Sequence, residues 1–256
     1  MKIPYYHVDA FSSRPFSGNP AGVCPLEAWL PDKTMQQIAA ENRHAETAFF
    51  LPAGSKPGHF HLRWLTPAAE VDLCGHATLA TDFVLRQRLG FREPVVYFEI
   101  LSGQLTVEFQ DELLVMDFPS RPPQPYDAPS ALIEGLGEAP AEIYRARDVL
   151  AVFESEAQVA ALQPDFDRLS EVDALGVIAT APGDQGDFVS RFFAPRVGVP
   201  EDPVTGSSHC TLIPYWARRL GKDRLETRQI SPRGGGLRCT CRGRSRSKRW
   251  TVSGER

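Results

Sequence analysis

EVDLCGHATLATDFVLRQRLG, Glu70 to Gly90, decides the fold. It reads as a strand end, a tight turn at Cys74-Gly75-His76, and a helix from Ala77 to Leu89. Gly75 has no Cβ to hold a ligand away from the backbone. The helix after it leaves its first N–H groups unpaired and carries partial positive charge there. Strand, glycine turn and helix start together suit an anion such as a carboxylate or phosphate.

The device recurs in PEDPVTGSSHCTLIPYWARRLG, Pro200 to Gly221. Cys74-Gly75-His76 matches Thr205-Gly206-Ser207, and Arg88-Leu89-Gly90 matches Arg219-Leu220-Gly221 at the same spacing. Upstream, the RWLTP run from Arg63 matches the RFFAP run from Arg191, with a short insertion before the turn. Matched anchors in matched order point to an internal duplication. Two similar halves would then each contribute one anion-binding helix start.

Four motifs are distributed along the chain: DAFSSRPFSGNPAG (Asp9 to Gly22), HAETAFF (His44 to Phe50), EVDLCGHAT (Glu70 to Thr78), and RFFAP followed by GVPEDPVTGSSH, ending at His209. In this order they resemble the phenazine-biosynthesis PhzF-like family, which shares the fold of diaminopimelate epimerase. The resemblance covers about four fifths of the chain and weakens after about residue 232. It implies an α/β (α+β) protein of two pseudo-symmetric halves, each a curved, mostly antiparallel sheet around a central helix. The central helices would be 77–89 and 206–220, and the halves 1–118 and 119–256.

Glu46 stands at the mouth of an apolar strand, where desolvation would raise its pKa. On the residues alone it also reads as an ordinary surface glutamate at a helix–strand junction. The resemblance makes it the catalytic acid/base, and adds His76 and Asp202 as catalytic partners. It further makes Asn19 a candidate substrate contact, while Gly75, Gly206 and Ser207 follow as carboxylate contacts from the two helix starts. Cys74 corresponds to a catalytic thiol of diaminopimelate epimerase. The second turn has no cysteine before its glycine, so a two-thiol racemization is not expected and Cys74 reads as a small buried residue. The implied activity is a cofactor-independent isomerization of a small carboxylate-bearing metabolite. Single-carbon epimerization and a non-catalytic binding or regulatory role stay open as alternatives.

Composition narrows the class. With 256 residues, 42% of them hydrophobic, the chain can build packed cores, and a net charge of −4 gives no reason to expect nucleic acid. No apolar run reaches membrane-spanning length. The start, MKIPYYHVDAF, lacks a signal-peptide core. Five scattered cysteines fit a reducing cytoplasm. Neither glycine turn has the GxGxxG spacing of a nicotinamide or flavin site. His209 and Cys210 are adjacent rather than at ligand spacing, so no metal is expected. A homodimer is implied by the resemblance alone.

The remaining elements follow from pattern. Residues 3–11 read as a strand, and Arg14 to Gly22 as a loop turning at Gly18-Asn19-Pro20. A helix capped by Asp32 runs to about Asn42, and His59–Leu65 is strand-like. Three strands fill 95–117, with a proline-rich linker after them at 119–129. The second half opens with a short helix at 130–136, strands at 142–153 and 173–181 around a helix at 155–162, and a strand at 187–194. After Ser231 the pattern breaks. Arg233–Arg256 holds eight basic residues and one acidic, which reads as a basic tail or an altered end, with Cys239 and Cys241 a weak metal signal.

Overall fold

The computed structural model describes residues 2–240 and, as backbone, 241–242 and 249–254. Two compact units emerge: one runs to Asp117 and takes in the chain from Ser253, and the other spans Phe118–Val252.

In the first unit, β1 (Tyr6–Ala10) pairs antiparallel with β2 (Asn19–Pro25). After α1 (Asp32–Asn42), β3 (Glu46–Pro52) lies parallel to β2 and antiparallel to β4 (His59–Leu65). β5 (Glu70–Val71) pairs antiparallel with β4 and leads into α2 (Gly75–Gln87). Then β6 (Val95–Ile100) adds parallel to β4, and β7 (Gly103–Gln110) and β8 (Leu113–Pro119) continue as a meander. α2 packs on β1, β2 and β3, and almost its whole length is buried. That explains its run of Ala, Thr, Leu and Val: a helix wrapped by a sheet must be small or apolar on most faces. Trp64, Phe49 and Phe98 are fully buried in this unit.

The second unit opens with β9 (Gln124–Pro125) and α3 (Ser130–Leu136), and then repeats the pairing scheme. β10 (Glu142–Arg145) is antiparallel to β11 (Val149–Val152) and to β9. After α4 (Glu156–Ala161) and α5 (Phe166–Ser170), β12 (Val177–Pro182) lies parallel to β11 and antiparallel to β13 (Phe188–Ala194). β14 (Val199–Asp202) returns antiparallel to β13 and leads into α6 (His209–Leu220). β15 (Arg224–Gln229) adds parallel to β13, followed by antiparallel β16 (Gly235–Arg242). β17 (Arg249–Gly254) is the last strand.

Strand for strand, β1–β7 and β10–β16 pair in the same order and sense. Matched residues share register: Trp64 faces Val71 as Phe192 faces Asp202. Each unit clamps its last short strand with a bidentate arginine–glutamate pair. Arg63 donates to both oxygens of Glu70 at 2.7 and 2.6 Å, and Arg191 to both of Glu201 at 2.7 and 2.9 Å. A fork-to-fork pair of this kind holds geometry as well as charge. The two pseudo-symmetric halves are therefore a property of the fold.

Several local expectations change. Asn19–Gly22 is not loop but the start of β2. The turn is completed earlier, at Gly18, whose φ of +76° and 2.1 Å Cβ-to-Ala10 O approach admit only glycine. Asp32 does not cap α1: Pro31 occupies the cap position, and Asp32 sits in the first turn, where it accepts from Arg63 Nη1 at 2.9 Å. α2 begins at Gly75, two residues before Ala77, and a 3₁₀ turn at Gly206–Ser208 precedes α6. Residues 142–153 form two strands broken at Ala146–Asp148, and the proline-rich linker contributes β9. Beyond Ser231 the chain forms β16 and β17 rather than a featureless tail; residues 243–248 and 255–256 lie outside the described residues. Cys239 is a core residue of β16, and burial pushes its thiol pKa far up, the opposite of a ready metal ligand.

Candidate active site

Cys74 has extended backbone, with φ −144° and ψ 110°, and Gly75 begins the helix directly after it. Thr78 Oγ1 donates to Cys74 O at 2.5 Å, which ties the turn to the first helical turn. The second unit copies this closure with a different residue. Thr205 is also extended (φ −110°, ψ 98°), and His209, at the position matching Thr78, donates from Nδ1 to Thr205 O at 2.9 Å. Both glycine turns are thus tied to the first turn of the helix that follows.

Glu46 is the first residue of β3, opposite Ala21 of β2. Its Oε2 lies 3.3 Å from His76 Nε2, and on the other side of the ring Cys74 Sγ lies 3.5 Å from Nδ1. Glu46 is one-fifth exposed and His76 is buried. Burial, with the nearby His44 adding to it, lowers the His76 pKa to about 4, so the imidazole is neutral near pH 7. His44 is held in turn by Tyr5 Oη at 2.8 Å and by an edge contact with the His7 ring. Asn19 is wholly buried, two residues before Ala21 and so on the same side of β2.

One ligand atom from each of Glu46, Cys74 and His76 lies within 4.8 Å of the others, the only such group among the described residues able to hold a metal ion. The ring offers a different nitrogen to each neighbour, however. One imidazole nitrogen binds one ion, so the arrangement suits a hydrogen-bonded relay better than a chelate.

In the second unit Asp202 ends β14 and accepts a short hydrogen bond from Thr205 Oγ1. Buried Gln229 braces this corner: Nε2 donates to Asp202 O at 2.7 Å, and Oε1 accepts from Thr205 N at 2.8 Å. Ser207 Oγ accepts from Arg147 Nη2 at 3.0 Å. Arg147 also contacts Asp148, which is almost completely buried. Asp148 has its pKa raised by burial, opposed by Arg147 and Arg121. The sequence reading missed Arg147 and Gln229. Arg147 sits in the β10–β11 turn, distant in sequence from Ser207, and nothing in the local sequence signals that this hairpin reaches the glycine turn. Glu46 and His76 are thus brought together in one unit, and Asp202, Gly206 and Ser207 in the other.

Comparison with known proteins identifies the family. The family model described as phenazine biosynthesis-like protein matches residues 8–256, so the match runs on through the basic end. An uncharacterized isomerase of Pseudomonas aeruginosa is 49% identical over 255 residues, covering 100% of this chain and 96% of its own. The crystal structure of a PhzF-family phenazine biosynthesis protein from Enterococcus faecalis superposes with a TM-score of 0.94 at 44% identity, covering 100% of this chain and 96% of that one. A predicted epimerase of Pseudomonas aeruginosa shares the fold, with a TM-score of 0.72 at 18% identity over 99% of this chain and 96% of that one. This chain belongs to the phenazine biosynthesis-like (PhzC-PhzF) family.

Proposed function

We propose that this isomerase moves a proton from one carbon to another of a small carboxylate-bearing metabolite, with Glu46 as the acid/base and no cofactor invoked. The observation that carries the reading is Glu46 Oε2 at 3.3 Å from the Nε2 of a buried, neutral His76, beside the start of α2. Glu46 removes the proton as a carboxylate and returns it as a carboxylic acid, a role that contributes roughly 10²–10⁴-fold. A neutral His76 donates one hydrogen bond to charge developing on the substrate without competing for the proton. Gly75 N–H adds the partial positive charge of the helix start. In the second unit, the matching helix start at Gly206 and Ser207, with Asp202 ending the strand before it, offers a carboxylate-binding position of the same kind in this reading.

Two-base epimerization needs bases on opposite faces of one carbon. Glu46 and Cys74 instead offer atoms within 4.8 Å of each other, which favours one base acting twice. The reading carries a cytoplasmic homodimer with it, and light scattering that returns a monomer at micromolar concentration removes the dimer. Among the described residues no helix is long and apolar enough to cross a membrane. Glu46→Gln tests the function: turnover should fall by about 10²-fold or more with the circular dichroism spectrum unchanged, and a variant keeping a tenth of the activity contradicts the assignment.

A further inference from the structure

We infer that Cys74 is a positioning residue: its thiol donates to His76 Nδ1 and so locks the imidazole in the tautomer that carries its proton on Nε2. Three observations converge on this. Cys74 Sγ and His76 Nδ1 are 3.5 Å apart, both side chains are buried, and they are only two residues apart on a turn set by Gly75. A thiol can donate its S–H, and a neutral imidazole has one acceptor nitrogen to receive it. On the opposite edge of the ring, Nε2 faces a Glu46 oxygen at 3.3 Å. An ionised carboxylate only accepts, so a lone pair on Nε2 would face the lone pairs of Oε2. A proton on Nε2 removes that repulsion, and Nδ1 is then left to accept from sulfur. Both neighbours select the same tautomer.

The consequence is directional. Nε2 is buried and makes no hydrogen bond among the described residues, although it touches Glu46 at ion-pair distance. A donor held there, with its angle off the carboxylate, is kept for a bound molecule. The second unit makes the contrast: His209 donates from Nδ1 to Thr205 O, which fixes the opposite tautomer and ties that imidazole into the backbone. Two buried histidines at the two glycine turns are thus set to opposite tautomers by what faces Nδ1, a thiol in one case and a carbonyl in the other. The tautomer itself stands apart from the proposed chemistry; its effect on rate rests on that reading.

The test is the ring-nitrogen spectrum of the full-length protein labelled with ¹⁵N-histidine, recorded at pH 7.5, with His76→Asn and His209→Asn assigning the two signals. His76 should show a protonated Nε2 and an unprotonated Nδ1, and His209 the reverse. Cys74→Ala should turn His76 into a tautomer mixture, and Cys74→Ser, whose hydroxyl can also donate, should restore the single tautomer. On a substrate that the protein turns over, Cys74→Ala should lower kcat about tenfold with little change in KM, and Cys74→Ser should recover most of it. A His76 protonated on Nδ1 in the unmodified protein overturns the inference, as does a His76 spectrum unmoved by Cys74→Ala. Neither outcome depends on Glu46 chemistry, so the spectrum separates failure of this inference from failure of the functional reading.

Discussion

Gly176, just before β12, occupies in the second unit the position that Glu46, the first residue of β3, occupies in the first. Thr47 pairs with Leu65 and Val177 with Phe193, and Leu65 and Phe193 are equivalent in the matched RWLTP and RFFAP runs. The residues just before, Glu46 and Gly176, therefore correspond. Cys74 corresponds to Thr205, and His76 to Ser207. The duplicated fold has kept its frame, including both arginine–glutamate clamps, and carries a glutamate at this position on one side only. Phe192 fills the other side: a Cβ on Gly176 would meet Phe192 Cζ at 2.3 Å. Gly176→Ala should destabilise the protein by about 1–3 kcal/mol through overpacking, read from the midpoint of urea unfolding. An unchanged midpoint would mean that the glycine is not held there by packing.

Arg147 adds a cation to the second turn that the sequence motifs did not contain. Its guanidinium reaches Ser207 Oγ at 3.0 Å while also contacting Asp148, so a carboxylate bound at Gly206 and Ser207 would meet a cation that Asp148 partly offsets. Charge-assisted hydrogen bonds contribute roughly 1.5–3 kcal/mol, which corresponds to about 10–100-fold in affinity. Arg147→Met should raise KM by that range and lower kcat little. Equal loss in kcat at unchanged KM would place Arg147 in the chemical step instead.

Two buried histidines weaken the fold in acid. Burial lowers His76 and His209 to about 4, from 6.5 for an exposed histidine. Between those values the unfolded chain binds protons at both positions and the folded chain does not. Stability is then complete above the unfolded value and declines as pH falls toward 4, with these two residues accounting for up to about two protons of the slope. His209→Asn should reduce that slope by about one proton in unfolding free energies measured from pH 4.5 to 7. A slope unchanged by the substitution contradicts the burial account.

Asp82 and Arg86 form a buried pair inside α2. Arg86 Nε donates to Asp82 Oδ2 at 2.7 Å, and Nη1 donates to Glu93 O at 2.7 Å. Arg86 also lies over the Phe91 and Phe109 rings. Burial raises Asp82 to about 6 despite the hydrogen bond and charge of Arg86. Removing one partner leaves an uncompensated buried charge, so Arg86→Met alone should cost roughly 3–5 kcal/mol. Adding Asp82→Leu should recover a large part of that in a double-mutant cycle. Additive losses would show that the two residues act independently.

That pair marks the limit of what the sequence shows. Asp82 and Arg86 stand four residues apart, a spacing usual for an exposed helix face, and only a sheet wrapped around α2 turns them inward. The duplication was legible because the glycine turns and the arginine runs repeat in order. Clustering of Glu46 with His76 followed from the resemblance, while their 3.3 Å approach did not. Cys74 read as a small buried residue; it is buried, yet it also contacts His76, because the turn at Gly75 brings its thiol to the Nδ1 edge of the ring. β16 was hidden behind three glycines, although the alternation Leu237, Arg238, Cys239 carries a period-2 signal that basic composition obscured.

Carbon-bound proton exchange tests the central claim most directly. The full-length protein is incubated in D₂O with a panel of cyclic and acyclic amino and hydroxy carboxylates, and loss of C–H signals is followed by NMR, with Glu46→Gln alongside. Deuterium should enter at carbon in at least one of these acids, and the Glu46→Gln protein should slow that exchange by about 10²-fold or more. Exchange at an equal rate in both proteins, or none with acids that the folded protein demonstrably binds, would contradict the account.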